Sequence, residues 1–115
     1  MSLITVLADR QLKAYNAADL EGFCACYHPQ VRMFSGEDLD CEGIEAFRER
    51  YAAMFERGGF GASVPRRLVH GPHCVDEERW WRVDPESGER REGVLLVRYR
   101  LRDEQIGTVQ FLDAD

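Results

Sequence analysis

Lysine is almost missing from this 115-residue chain: Lys13 stands alone beside fourteen arginines, and the net charge is −6. No cluster of basic residues supplies the electrostatic footprint that phosphate backbones need, so nucleic acid is not an expected partner. No stretch approaches the roughly 18 apolar residues of a bilayer span, and no membrane partner is expected. The opening MSLITVLADRQLK lacks the basic start and sustained apolar run of a secretion signal, which makes the expected location cytoplasmic. Cys24, Cys26, Cys41 and Cys74 form no CxxC pair and keep no regular spacing with His28, His70 or His73. Metal, cofactor and disulfide are therefore not expected, and the thiols are read as inert. The acidic stretch of Glu37, Asp38, Asp40 and Glu42 lacks the oxygen-ligand spacing of a calcium loop and is read as solvated charge.

What is present is ordinary for a folded domain: 44% hydrophobic and 31% charged residues. The length suits one domain over 1–115, large enough for a core without staples. Neither repeat nor linker divides it. Two blocks follow each other, helical to about Gly59 and strand-like beyond.

At about 100° per residue, Leu3 to Asn16 places Leu3, Ile4, Leu7, Ala8, Ala14 and Tyr15 on one face, with Gln11 at its centre. A glutamine there either satisfies itself on nearby backbone or presents its amide to a ligand. Asp19 can cap a short helix from Leu20 to Tyr27, ended by His28-Pro29. Val31 to Ser35 alternates as a strand, and Gly36 opens a polar loop. Ile44, Phe47, Tyr51, Met54 and Phe55 recur at helical spacing within Glu42 to Gly58, and Gly58-Gly59 stops that helix. Strands are expected near Ser63 to His70, Cys74 to Val83, Glu92 to Leu101 and Ile106 to Leu112. Their connections are Gly71-Pro72, the hairpin loop Asp84 to Gly88, and Arg102 to Gln105.

The stretch YNAADLEGFCACYHPQVRMFSG and the helix EGIEAFRERYAAMF resemble the ketosteroid isomerase-like and SnoaL-like branch of the nuclear transport factor 2-like superfamily. The resemblance implies an α+β cone, three N-terminal helices packed on a strongly curved, mostly antiparallel sheet, and a hydrophobic pocket between them. It implies no single reaction, because such folds host both enzymes and binding modules. Aligned on the steroid isomerases, Ser35 stands where the general base is an Asp, Gln11 where an oxyanion-binding Tyr sits, and Val97 where a second Asp sits. All three depart from that pattern, so steroid isomerisation is not expected.

The resulting expectation is a domain that binds a hydrophobic small molecule in a pocket lined by Gln11, Tyr15, Ser35, Tyr51, Phe55, Val97, Tyr99 and Phe111. Its rival is a lyase, isomerase or cyclase acting on a hydrophobic ring or polyketide-like substrate. There the strand Cys74 to Val83 supplies the base. Its odd face holds Val75, Glu77, Arg79, Trp81 and Val83, its even face Cys74, Asp76, Glu78, Trp80 and Arg82. The odd face is the more apolar at its ends: if it turns inward, Glu77 beside Arg79 is the candidate general base, and otherwise Glu77 belongs to a cross-strand ion pair on a solvated sheet face. With Val94, Leu96 and Trp80 then outward, a homodimer through the convex sheet face is expected.

Overall fold

Ser2 starts the first helix, its hydroxyl accepting the Thr5 N–H, and α1 runs over Leu3–Asn16. The structure is a computed structural model that describes residues 1–112; the end of the expected domain, 113–115, lies outside the described residues. Helix α1 buries Ile4, Leu7, Ala8, Gln11 and Ala14. Its last residue, Asn16, fixes the helix to the sheet edge: the side-chain amide donates to the Ala62 carbonyl at 2.9 Å and accepts the Ala62 N–H at 2.8 Å. An exposed strand edge is thereby given a partner.

Asp19 caps α2, Leu20–Cys24, by accepting the Gly22 N–H at 3.0 Å. The helix is three residues shorter than its expected end at Tyr27. Strand β1 already begins there, as Tyr27–Ser35, and the first residues of the strand accommodate Pro29 in the extended geometry that proline favours. The segment expected as a polar loop instead forms β2, Asp38–Glu42, an antiparallel edge strand with Asp38 and Glu42 exposed to solvent. Helix α3, Ile44–Arg57, lies between Gly43 and Gly58, both at positive φ. The long strands follow as β3, Phe60–His70, β4, His73–Val83, β5, Arg90–Arg102, and β6, Gln105–Leu112.

These six strands form one sheet in the order β2-β1-β6-β5-β4-β3, antiparallel except for the β1–β6 pair. The architecture is α+β, three helices on a mostly antiparallel sheet, although α3 enters after two strands and the sheet is not strongly curled. No helix among the described residues is long and apolar enough to cross a membrane.

Helical spacing on α3 stacks Phe47, Tyr51 and Phe55 on one side, where they meet Phe23 of α2 with ring centroids 5.0 to 5.7 Å apart. Tyr15 and Phe60 extend this aromatic layer. Phe47 is fully buried, a contribution of about 2 to 3 kcal/mol from area alone.

The register of β4 against β5 decides which residues face this layer. Asp76 lies opposite Val97 and Glu78 opposite Leu95, so the even face of β4 turns toward the helices. Of the two readings of this strand, the inward odd face with Glu77 as base is therefore corrected and the cross-strand ion pair on the outer face is found, with two consequences. Glu77 sits on the outer face, held by the Arg66 guanidinium through Nε at 2.9 Å and Nη2 at 3.2 Å. Trp80 belongs to the inner face and takes no part in the outer apolar patch, where Leu68, Val94 and Leu96 stand exposed.

Candidate functional site

The inner face of β4 grades from sealed to open. Cys74 is buried, and its thiol is pushed up to about 12 by burial and then by the neighbouring Asp76 carboxylate. Asp76, 1% exposed, accepts from Arg67 Nε at 2.6 Å and Nη2 at 3.0 Å; Arg67 Nη1 also reaches Asp9 of α1 at 2.6 Å. That arrangement supplies a buried carboxylate with a bidentate cation, the condition under which such burial is tolerated. Glu78, Trp80 and Arg82 come next along the same face, and all three line a cavity between helices and sheet.

The cavity has a volume of about 70 Å³. Helix α1 contributes Gln11 and Tyr15, α3 contributes Tyr51, β5 contributes Leu95 and Tyr99, and β6 contributes Phe111. Gln11, 5% exposed, is tied into the wall: its Nε2 donates to the Ala8 carbonyl at 3.0 Å and to the Tyr99 hydroxyl at 3.2 Å, and its Oε1 accepts from the Tyr27 hydroxyl at 2.9 Å. Of the two readings open for Gln11, the structure thus shows an amide with three partners. Because the Tyr99 oxygen accepts from Gln11, its own O–H remains available, and no acceptor for it is found among the described residues. Burial raises the Tyr99, Tyr51 and Tyr15 phenols, in each case with a further contribution from Glu78; all three are neutral donors near pH 7.

Glu78 is the group in this cavity with chemistry near neutrality. Its carboxyl is largely withdrawn from water and receives no hydrogen bond from the described residues. Burial pushes it up to about 7, Asp76 adds to the rise, and Arg82 opposes it. A carboxyl of this kind can lose or gain a proton at pH 7.

A wider hollow of about 410 Å³ adjoins the cavity, sharing Tyr51, Arg82, Leu95 and Phe111 with it. Ser35 lies there, hydrogen-bonded to Asp40, which also stands 3.6 Å from Arg50. A second hollow of about 330 Å³ shares Trp80 and Arg82 with the cavity and lies between the end of α3 and the β4–β5 connection.

The structure therefore places Gln11, Tyr15, Tyr51, Tyr99 and Phe111 on one cavity and Ser35 in the adjoining hollow. Two expected lining residues lie elsewhere. Val97 is fully enclosed between Asp76 and Phe111 in the sheet, and Phe55 packs within the aromatic layer against Tyr15, Tyr51 and Phe60. Glu77 faces away from the cavity, and Glu78, Trp80, Arg82 and Leu95 line it although the expected pocket did not include them. The signal for them was the hairpin: pairing Val83 with Arg90 across the connection sets Glu78 beside inward Leu95. Among the described residues no group of three or more His, Cys, Asp and Glu is arranged to hold a metal ion.

Comparison with known proteins agrees with this architecture. No match is found among curated proteins. A cystatin fold protein from Novosphingobium aromaticivorans superposes with a TM-score of 0.85 at 21% identity, over 98% of this chain and 99% of that one. RV0760c from Mycobacterium tuberculosis, in complex with estradiol-17beta-hemisuccinate, gives 0.85 at 14% identity, over 96% and 93%. TerC, co-crystallised with polyporic acid, gives 0.83 at 15% identity, over 96% and 91%. At such identities these likenesses show the fold alone. Residues 8–108 match the model of the SnoaL-like domain, most of the chain's length. The chain belongs to the SnoaL-like domain family.

Proposed function

We propose that this domain takes the reacting end of a hydrophobic carbonyl compound into the cavity and that Glu78 transfers a proton there, an isomerase-, cyclase- or lyase-type reaction. The observation that carries this is Glu78 itself, a carboxyl near pKa 7 with no internal donor, facing the same cavity as a free phenolic O–H. The Glu78 carboxylate takes the proton from the carbon next to the carbonyl. The C–H electron pair passes into the enolate, whose oxygen accepts from Tyr99, and the protonated Glu78 returns the proton to carbon. Gln11 acts as a positioning residue, holding Tyr99 by its oxygen so that the phenol proton points elsewhere. Glu78 here takes the role first expected of Glu77.

The hydrophobic ligands of two structural neighbours, polyporic acid and estradiol-17beta-hemisuccinate, support a ring compound as the occupant. The test is deuterium exchange into the α-carbon of 2-tetralone in D2O, followed by NMR. The native protein should accelerate exchange with a rise through pH 7, and Glu78→Gln should lose roughly 10²- to 10⁴-fold. Equal exchange by the two proteins would defeat the catalytic reading. A binding-only role, favoured by the absence of isomerase-like groups at Ser35, Gln11 and Val97, would then stand if 2-tetralone still bound. The exposed Leu68, Val94 and Leu96 support a homodimer through the outer sheet face, as proposed for such an apolar patch.

A further inference from the structure

The hollow between the end of α3 and the β4–β5 connection has apolar surface from Met54, Phe60 and Trp80 and carries Arg57, Arg82 and Arg91 on its walls. Arg82 and Arg91 lie directly opposite each other on neighbouring strands, a like-charge pair that costs the sheet some stability. Arg82 leans over the Trp80 ring, 5.3 Å from its centroid, and none of the three guanidiniums has a carboxylate within ion-pairing distance among the described residues. The one acid on the hollow, Asp84, is engaged elsewhere: its Oδ1 accepts the N–H groups of Glu86 at 2.8 Å and Ser87 at 3.0 Å, which holds the carboxyl low and closes the turn. In the other hollow the arrangement is the reverse, since Arg50 already faces Asp40 and Asp40 already accepts from Ser35.

From this contrast we infer that the ligand carries a carboxylate, received by Arg57, Arg82 and Arg91, at the end of an apolar body that lies over Trp80. The inference rests on the reading of the inner cavity as the reacting end of the site and names the class of molecule that fills the rest. Three arginines without a salt-bridged carboxylate among the described residues, around an apolar floor, suit a group that is anionic and attached to a ring. Guanidinium forks bind carboxylates through paired, charge-assisted hydrogen bonds, whereas a neutral ring would leave the repulsion between Arg82 and Arg91 in place. The small inner volume fits this division, because about 70 Å³ takes a carbonyl and its neighbours but not a bicyclic ring. The body must then occupy the hollow that shares Trp80 and Arg82 with the cavity.

The test compares two probes of one shape, 2-naphthoate and 2-naphthamide, titrated into the ¹⁵N-labelled protein and followed by amide and indole shifts. The carboxylate should bind at least about tenfold more tightly than the amide, as expected for a charge-assisted contact. Its shifts should centre on Gly58, Gly59, Arg91 and the Trp80 indole. Arg57→Gln and Arg91→Gln, both exposed, should each bring the ratio of the two affinities toward one while the amide keeps its affinity. Equal affinities for the native protein, or a preference untouched by both substitutions, would overturn the carboxylate inference and leave the cavity reading intact. Binding of neither probe at millimolar concentration would overturn both.

Discussion

Replacing Glu78 by Gln should stabilise the protein at pH 8 and have little pH-dependent effect at pH 4. In an unfolded chain this carboxyl titrates near 4.5; folding moves it to about 7, first through burial and then through the like charge of Asp76. A raised value means that between these two pH values the folded state holds more proton than the unfolded state. Stability with respect to this group is therefore full below about 4.5, declines as the pH rises, and levels off above about 7. At about 1.36 kcal/mol per pKa unit, ionising Glu78 costs the fold about 3 kcal/mol by pH 8. A glutamine fills the same space and carries no charge to desolvate. Its own hydrogen-bonding offset is the same at every pH, so the pH dependence of the difference between the two proteins isolates the carboxyl.

The assay is urea unfolding followed by tryptophan emission at half-unit steps from pH 4 to 8.5, for the native protein and Glu78→Gln. Contributions from carboxylates remote from position 78 are common to both proteins and cancel. The difference in unfolding free energy should grow by about 3 kcal/mol across the interval, with its midpoint between the unfolded and folded values. A difference that stays flat with pH would refute the reasoning, because it would mean that Glu78 ionises as readily folded as unfolded. The same result would also remove the basis for proton transfer near neutrality.

Asp76→Asn should destabilise the fold by about 3 kcal/mol, since it leaves half-buried Arg67 with only Asp9, and should lower the Glu78 value by removing a like charge; urea melts and ¹³C carboxyl titration check the two effects. Arg82→Gln should move Glu78 in the opposite direction, above about 7, because the guanidinium opposes the rise; the same titration reads it. Gly93→Ala should cost about 1 to 3 kcal/mol and shift tryptophan emission, because an added methyl would overlap the Trp80 ring that forms the cavity wall. Leu96→Lys should convert a dimer to a monomer of 13.3 kDa by light scattering, and a native protein already monomeric at micromolar concentration would end the homodimer proposal.

The helices, the first strand and the four long strands after Gly59 were legible because their signals are local. The spacing of Phe47, Tyr51 and Phe55, the cap at Asp19 and the stop at Gly58 each need only a few neighbouring residues to be recognised. Gln11 stood out for the same reason, as a polar side chain at the centre of an apolar face, although its partners Tyr27 and Tyr99 come from strands 16 and 88 residues away. The facing of β4 is a different kind of property. Both its faces mix charge with apolar residues, and hydrophobicity alone favoured the odd one because Val75, Trp81 and Val83 make its ends the more apolar. What offsets the cost of turning Asp76 and Glu78 inward lies outside the strand: Arg67 on β3 neutralises Asp76, and Glu78 borders a cavity instead of closed core. Register could have overruled hydrophobicity here. A β5 whose inner side holds Leu95, Val97, Tyr99 and Leu101 admits only the even residues of β4 beside it once Val83 is set opposite Arg90. A carboxylate on the inward face of a strand then means either a buried ion pair or a site. This strand carries one of each, two residues apart, and their proximity is part of what lifts Glu78 toward neutrality.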